Sequence, residues 1–221
     1  MYSFAQRPDT KVVDEPLYGY YLKETKANHP GKDEVLNQME TNPEKLVGAL
    51  VNGKFDAEIV FYKNMAHHLV GLDMGFVAGF SNIILIRDPG EVLVSLSKTL
   101  SNISLLDTGF EFQYKIFNEL EKVNLKPVVM DSEDLLKNPK GVLSELCHRL
   151  EIPFYENMLK WKKGGIPEDG IWAKHWYQNV HNSEGFFSYP KIEKPIPANL
   201  VELHDECRYY YDFLSKNKLR V

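Results

Sequence analysis

The sequence predicts an α/β protein built on parallel strands. Short apolar runs of strand length recur along it, and stretches of helical spacing long enough to cross back over a sheet separate them. The length agrees, since 221 residues suffice for one domain with a complete core. Hydrophobic residues make up 43% and charged residues 26%, the proportions of a globular chain in water. No internal repeat, low-complexity tract or linker divides it, so a single domain over 1–221 is expected.

The elements follow in order. "MYSFAQRPD" gives Met1, Phe4 and Ala5 helical spacing, and Arg7-Pro8-Asp9 reads as a helix end. "TKVVDEPLY" (10–18) is a short strand stopped at Asp14-Glu15-Pro16, where proline forbids its continuation. The polar stretch 32–52 is helical, with a break at Asn42-Pro43. "AEIVFYKNM" (57–65) is a second strand and 82–87 a third, the most apolar. Residues 90–101 and about 108–123 are helices. "KPVVMDSEDLL" (126–136) supplies a fourth strand and a turn, and 139–150 a helix closed by "EIPF". The stretch 161–198 is rich in glycine, proline and aromatics and reads as loops. A last helix fills about 197–216. Residues Ile83 to Ile86 are expected to be buried on both faces of a central strand flanked by 11–14 and 57–62.

Several function classes fall away. Lys and Arg number 26 against 31 Asp and Glu, a net charge of −5, which argues against nucleic-acid binding through phosphates. No run approaches the ~18 apolar residues of a membrane span, and the start lacks the order of a signal peptide. Cys147 and Cys207 lie in helical stretches without metal-like spacing, so buried reduced thiols in the cytoplasm are expected, and no metal.

In a parallel sheet, ligands collect where strands end and helices begin, because free backbone N–H groups and the helix dipole meet there. Three such points carry chemistry. At "IRDPGEVLVSLSK", Glu91, Ser95 and Lys98 share one face of the helix, while Val92, Leu96 and Ile103 take another. Arg87 and Ser95 can converge there on one anion. Alternatively, Arg87 pairs with Asp88 or Glu91 and Ser95 is incidental. At Asp14-Glu15-Pro16, a partly desolvated carboxylate would suit a general base, and a solvated acidic turn is the alternative. "YKNMAHHL" (62–69) carries Lys63, His67 and His68; adjacent histidines diverge, so at most one faces a site. Surface or capping histidines are the plain alternative. The aromatics Trp172, Trp176, Tyr177, Phe186 and Phe187 either line a pocket or pack a loop-rich lobe.

Together these stretches resemble the sulfotransferases of P-loop type. "IILIRDPGEVLVSLS" is similar to the family's 3′-phosphate-binding segment, in which a serine stands eight positions after the arginine, as Ser95 does after Arg87. "VVMDSEDLLKNPKGVLSELCHRLEIPF" (128–154) resembles its strand–"EDL"–proline–helix segment. "KWKKGGIPEDGIWAKHWYQNVHNSEGF" (160–186) and "MYSFAQRPDTKVVDEPLY" resemble a subgroup whose domains stand alone or are attached to branched-chain aminotransferase-like proteins. The resemblance covers nearly the whole chain. It implies a P-loop NTPase-like three-layer sandwich around a central parallel sheet. It further implies transfer of a sulfuryl group from 3′-phosphoadenosine 5′-phosphosulfate (PAPS) to a hydroxyl or amine of a small-molecule acceptor. The resemblance assigns the 3′-phosphate to Arg87 and Ser95, the base to Glu15 with His67 or His68 second, and a nucleotide-closing basic-glycine segment to Lys162, Lys163 and Gly164.

One departure stands out. The family's first strand and phosphosulfate-binding loop precede the helix in which this sequence starts, and no Gly-x-x-x-x-Gly-Lys-Ser/Thr pattern occurs among the 221 residues. A truncated reading frame is expected over genuine loss of activity. The rival readings are a non-catalytic interaction or regulatory module with a vestigial nucleotide pocket, and a small-molecule kinase of P-loop class.

Overall fold

The computed structural model of the chain describes residues 1–187 and 195–221; of the expected loop stretch 161–198, residues 188–194 lie outside them. A 3₁₀ turn, Phe4–Gln6, opens the chain, and strand β1 follows at Thr10–Asp14. Helices α1 (Tyr18–Thr25), α2 (Lys32–Gln38) and α3 (Pro43–Asn52) lead to β2 (Ile59–Lys63). Strand β3 (Ile83–Ile86) runs into α4 (Pro89–Leu96), then α5 (Leu105–Thr108), α6 (Phe110–Lys122) and β4 (Val128–Asp131). Helices α7 (Ser132–Lys137), α8 (Pro139–Arg149), α9 (Ala173–Trp176), α10 (Gln178–His181) and α11 (Val201–Lys216) complete the order.

Dipeptides fix several starts. Asn42-Pro43, Asp88-Pro89 and Asn138-Pro139 each place a capping side chain before a proline in the first helical position. The side-chain oxygens accept from Lys45, Gly90 and Gly141 N–H respectively, satisfying donors that a helix leaves orphaned. The expected break at Asn42-Pro43 is therefore real.

The chain forms two compact units, each assembled from two segments. The first joins Met1–Phe76 to Tyr155–Phe187. In it β1 and β2 pair in parallel, Thr10 opposite Ile59 through Asp14 opposite Lys63. Its core gathers Tyr2, Phe4, Val12, Leu17, Tyr21, Leu22, Met158 and Trp161, with Phe4 stacked on Phe61 at 4.1 Å. Arg7, though buried, is held by Asp9 at 2.9 Å.

The second unit joins Val77–Phe154 to Ser188–Val221. Here β3 and β4 pair in parallel, Ile83 opposite Val128 through Ile86 opposite Asp131. Ile84, Ile86, Leu93, Phe110, Phe117, Val129, Leu146 and Leu214 form its core. Cys147 and Cys207 are buried free thiols in α8 and α11.

The parallel α/β class holds, with four refinements. The strands hydrogen-bond as two pairs, so the neighbour of β3 is β4 and not 11–14 or 57–62. Only Ile84 and Ile86 are buried along β3, whereas Leu85 stays 49% exposed; the strand has one covered face. The helix expected over 90–101 ends at Leu96, which leaves Lys98 and Ile103 off the predicted faces. Tyr18, the last residue of the stretch 10–18, instead begins a helix, Tyr18–Thr25, over residues the periodicity left unassigned.

Candidate functional site

The exits of β1 and β2 converge in the first unit because their register sets Asp14 against Lys63. The ladder runs one residue further, with Glu15 N–H donating to Lys63 O at 2.6 Å. Glu15 then turns out of the strand with φ +40°, a left-handed conformation that a non-glycine residue adopts at a cost of ~1–3 kcal/mol. Its side chain is only 5% exposed at residue level, so the expectation of a desolvated carboxylate holds over that of a solvated turn.

Lys63 answers the charge. Its Nζ donates to Glu15 Oε1 and to the Tyr177 hydroxyl oxygen, the latter at 2.9 Å, and lies 3.9 Å from Asp14 Oδ1. Tyr177, at the start of α10, donates its O–H to Asp14 Oδ1 at 2.7 Å. Gly170 N–H donates to Asp14 Oδ2 at 3.0 Å. Burial pushes Asp14 up from the ordinary carboxylate range, against the pull of Lys63. Burial brings Lys63 down to about 8, although the Asp14 and Asp169 carboxylates oppose it. The Tyr177 phenol is pushed far up, first by burial and then by the Asp14 charge. Behind this group, Asp169 Oδ2 accepts from Tyr2 at 2.6 Å and pairs with His181 Nε2 at 2.9 Å.

His67 and His68 sit elsewhere in the same unit, on the 3₁₀ turn Ala66–Leu69. Neither is a surface histidine: they are 4% and 1% exposed. Their rings are perpendicular, 4.9 Å apart, and His68 stacks on Tyr18 at 5.1 Å. Burial holds the His68 imidazole well below its usual range, helped by the positive fields of His67, Lys63 and His29. His68 is thus a neutral ring packed among aromatics.

Lys162 and Lys163 are exposed and make no ion pair or hydrogen bond with the described residues. Gly164 has φ +110° and open space where a Cβ would stand; its N–H donates to His181 O at 2.8 Å. Of the aromatics, Trp172 is buried and Phe187 is 61% exposed. Trp161 packs edge-on against Phe186 at 5.1 Å.

In the second unit, Arg87 ends β3 and its Nε donates to Glu91 Oε2 at 2.8 Å, so the alternative pairing holds. That bond uses one of five guanidinium N–H groups. Arg87 Nη1 and Nη2 meet no acceptor among the described residues, and its side chain is 42% exposed. Ser95 is exposed on α4, one i,i+4 step beyond Glu91. Arg87, Glu91 and Ser95 therefore form a row with free donors at either end. Asp88, which caps α4, is gripped by Arg208 at 2.9 Å; that guanidinium holds its carboxyl low, overcoming burial. Sequence reasoning missed Arg208 because 120 residues separate it from Asp88. It also missed Tyr177 as a hydrogen-bonding partner, having counted it only as an aromatic.

The geometry defines a parallel α/β chain that gathers acid–base groups at one pair of strand exits and an arginine–serine row at another. Residues 1–217 match the family model described as a sulfotransferase domain, and the chain belongs to that family. It is 40% identical over 218 residues to branched-chain-amino-acid aminotransferase-like protein 1 of Arabidopsis thaliana, covering 98% of this chain and 39% of that protein. It is 38% identical over 215 residues to the same plant's aminotransferase-like protein 2, covering 97% and 38%. The chain thus spans about two fifths of these relatives' length. Among solved structures, the sulfotransferase domain from the curacin biosynthetic pathway aligns with TM-score 0.47 and 18% identity, over 90% of this chain and 78% of that one. The sulfotransferase domain from the Synechococcus PCC 7002 olefin synthase aligns with TM-score 0.47 and 14% identity, over 86% and 74%. Among the described residues, no helix is long and apolar enough to cross a membrane, and no cluster of three His, Cys, Asp or Glu side chains could hold a metal.

Proposed function

We propose that this chain is a cytoplasmic PAPS-dependent sulfotransferase domain that moves a sulfuryl group onto a hydroxyl or amine of a small-molecule acceptor. The observation that carries the proposal is Glu15: a buried carboxylate, held in a strained conformation at a strand exit, in a chain of this family. In the reaction the acceptor oxygen or nitrogen forms a bond to sulfur as the bond from sulfur to the donor's 5′-phosphate oxygen breaks. The acceptor's proton passes to Glu15, and 3′-phosphoadenosine 5′-phosphate (PAP) leaves. Arg87 and Ser95 fit a 3′-phosphate, since both keep unused donors exposed to solvent. Lys162, Lys163 and Gly164 have the exposure and backbone freedom to follow a nucleotide. His67 and His68 rank behind Glu15 as base, being enclosed by aromatic rings.

A non-catalytic module is the second reading. It is favoured by the Arg87–Glu91 pair, because a carboxylate beside the guanidinium opposes an incoming phosphate. Thermal stabilisation by PAP decides between them, measured on the 221-residue chain and on the chain with any in-frame upstream sequence. Stabilisation by PAP that exceeds that by adenosine 5′-monophosphate supports the nucleotide site. Equal shifts, or none, in both chains remove it. Once screening finds an acceptor, Glu15→Gln should cut turnover by about 10²–10⁴ with PAP binding unchanged.

A further inference from the structure

Two carboxylates, one ammonium and one phenol meet at the strand exits of the first unit, with the buried Met1 amine and the Asp169 carboxylate acting on Lys63 and Asp14 from around them, and they do not share their protons evenly. Tyr177 has a single O–H; at 2.7 Å from Asp14 Oδ1 and 3.2 Å from Glu15 Oε1, it serves Asp14. Asp14 is thus held by neutral dipoles, the Tyr177 O–H and the Gly170 N–H, with Lys63 at a longer 3.9 Å. The ammonium contacts Glu15 directly. All of this falls on Glu15 Oε1; Oε2 accepts from none of the described residues. Lys63 is itself pinned from the other side by Tyr177, whose ring it also faces at 5.0 Å from the centroid.

We propose that Lys63 is a positioning residue for Glu15: it anchors Oε1 and keeps the carboxylate ionised, leaving Oε2 as the proton-accepting oxygen, while Tyr177 fixes Lys63 in place. The proposal deepens the reading of Glu15 as the base and rests on it for its catalytic meaning. The physical content is independent of turnover. A buried carboxylate without a cation titrates upward, because desolvation favours its neutral form, and an adjacent ammonium reverses that. Burial pulls Lys63 below the ordinary lysine range, so Glu15 loses its support where Lys63 gives up its proton.

The test is carbonyl ¹³C NMR of the glutamate-labelled chain across pH, with the Glu15 resonance assigned by its loss in Glu15→Gln. Lys63→Met should raise the Glu15 midpoint by about one pH unit or more, a tenfold or larger change in its proton affinity, and Lys63→Arg should restore most of it. An unmoved midpoint in a folded Lys63→Met chain overturns the proposal. If Lys63→Met does not fold, the unaltered chain decides: its Glu15 resonance should show a second inflection as Lys63 loses its proton, and a flat response there overturns the proposal equally. Failure of the base reading looks different, as normal turnover in Glu15→Gln while the midpoint shift persists.

Discussion

Adjacent positions on β3 give a sharp test of which face the strand buries. Ile84 is 5% exposed and Leu85 49%, although both belong to one apolar run and lose nearly the same atoms on truncation to alanine. At Ile84 the cost includes the transfer of the deleted carbons and the cavity they leave, about 2–5 kcal/mol. At Leu85 about half the transfer energy of three carbons is at stake, near 1 kcal/mol at ~0.8 kcal/mol per methylene, and no enclosed cavity forms. The two variants should therefore differ by roughly 1–4 kcal/mol. Tryptophan fluorescence is the wrong probe, because Trp161, Trp172 and Trp176 all lie in the first unit. Native-state amide exchange at Val129 and Met130, which pair with β3, reads the second unit directly. Equal losses of protection in Ile84→Ala and Leu85→Ala would refute the one-faced strand.

Two further outcomes are expected. His68 binds its proton less readily folded than unfolded, so its contribution is fully present above pH ~6.5 and is lost as pH falls, by up to about 1.4 kcal/mol per pH unit. Urea titrations at pH 7.5 and 5.5 should show this loss, and His68→Phe should reduce the slope to what the buried Met1 amine leaves; an unchanged pH slope in that variant would count against the buried neutral imidazole. Arg87→Ala removes a solvent-exposed i,i+4 pair, so stability should change by less than about 0.5 kcal/mol, while the PAP-induced thermal shift should largely vanish. A large stability loss would instead make Arg87 a structural residue.

What the sequence disclosed, and what it hid, follows from physical signal. The four strands were legible because each is a short apolar run closed by a polar or proline stop. Helix α1 was not: Tyr18, Gly19, Tyr20, Tyr21 and Leu22 are all buried, so its first five residues show no polar face from which a 3.6-residue period could be read. Leu85 was misplaced for the converse reason, since an unbroken apolar run looks identical whether one face is covered or two. Glu15 was legible from its proline. Its bond to Lys63 was not, because 48 residues separate them and only the parallel register brings them together. The histidines misled because a polar pair after a strand suggests surface, whereas the surrounding tyrosines form a buried stack for them.

The assembly of each unit from two stretches of chain has a consequence for biosynthesis. Strands β1 and β2 leave the ribosome well before the aromatic and acidic residues that close over them, which reside in Tyr155–Phe187. At translation rates of ~5–20 residues per second, the intervening 77–154 segment delays completion by roughly 4–16 s. During that interval Glu15 and Lys63 await Tyr177, and Phe4 and Tyr2 await Trp161 and Met158. The first unit is thus begun first and closed only after 77–154 has emerged, so nascent chains halted before residue 155 should be the ones that chaperones hold.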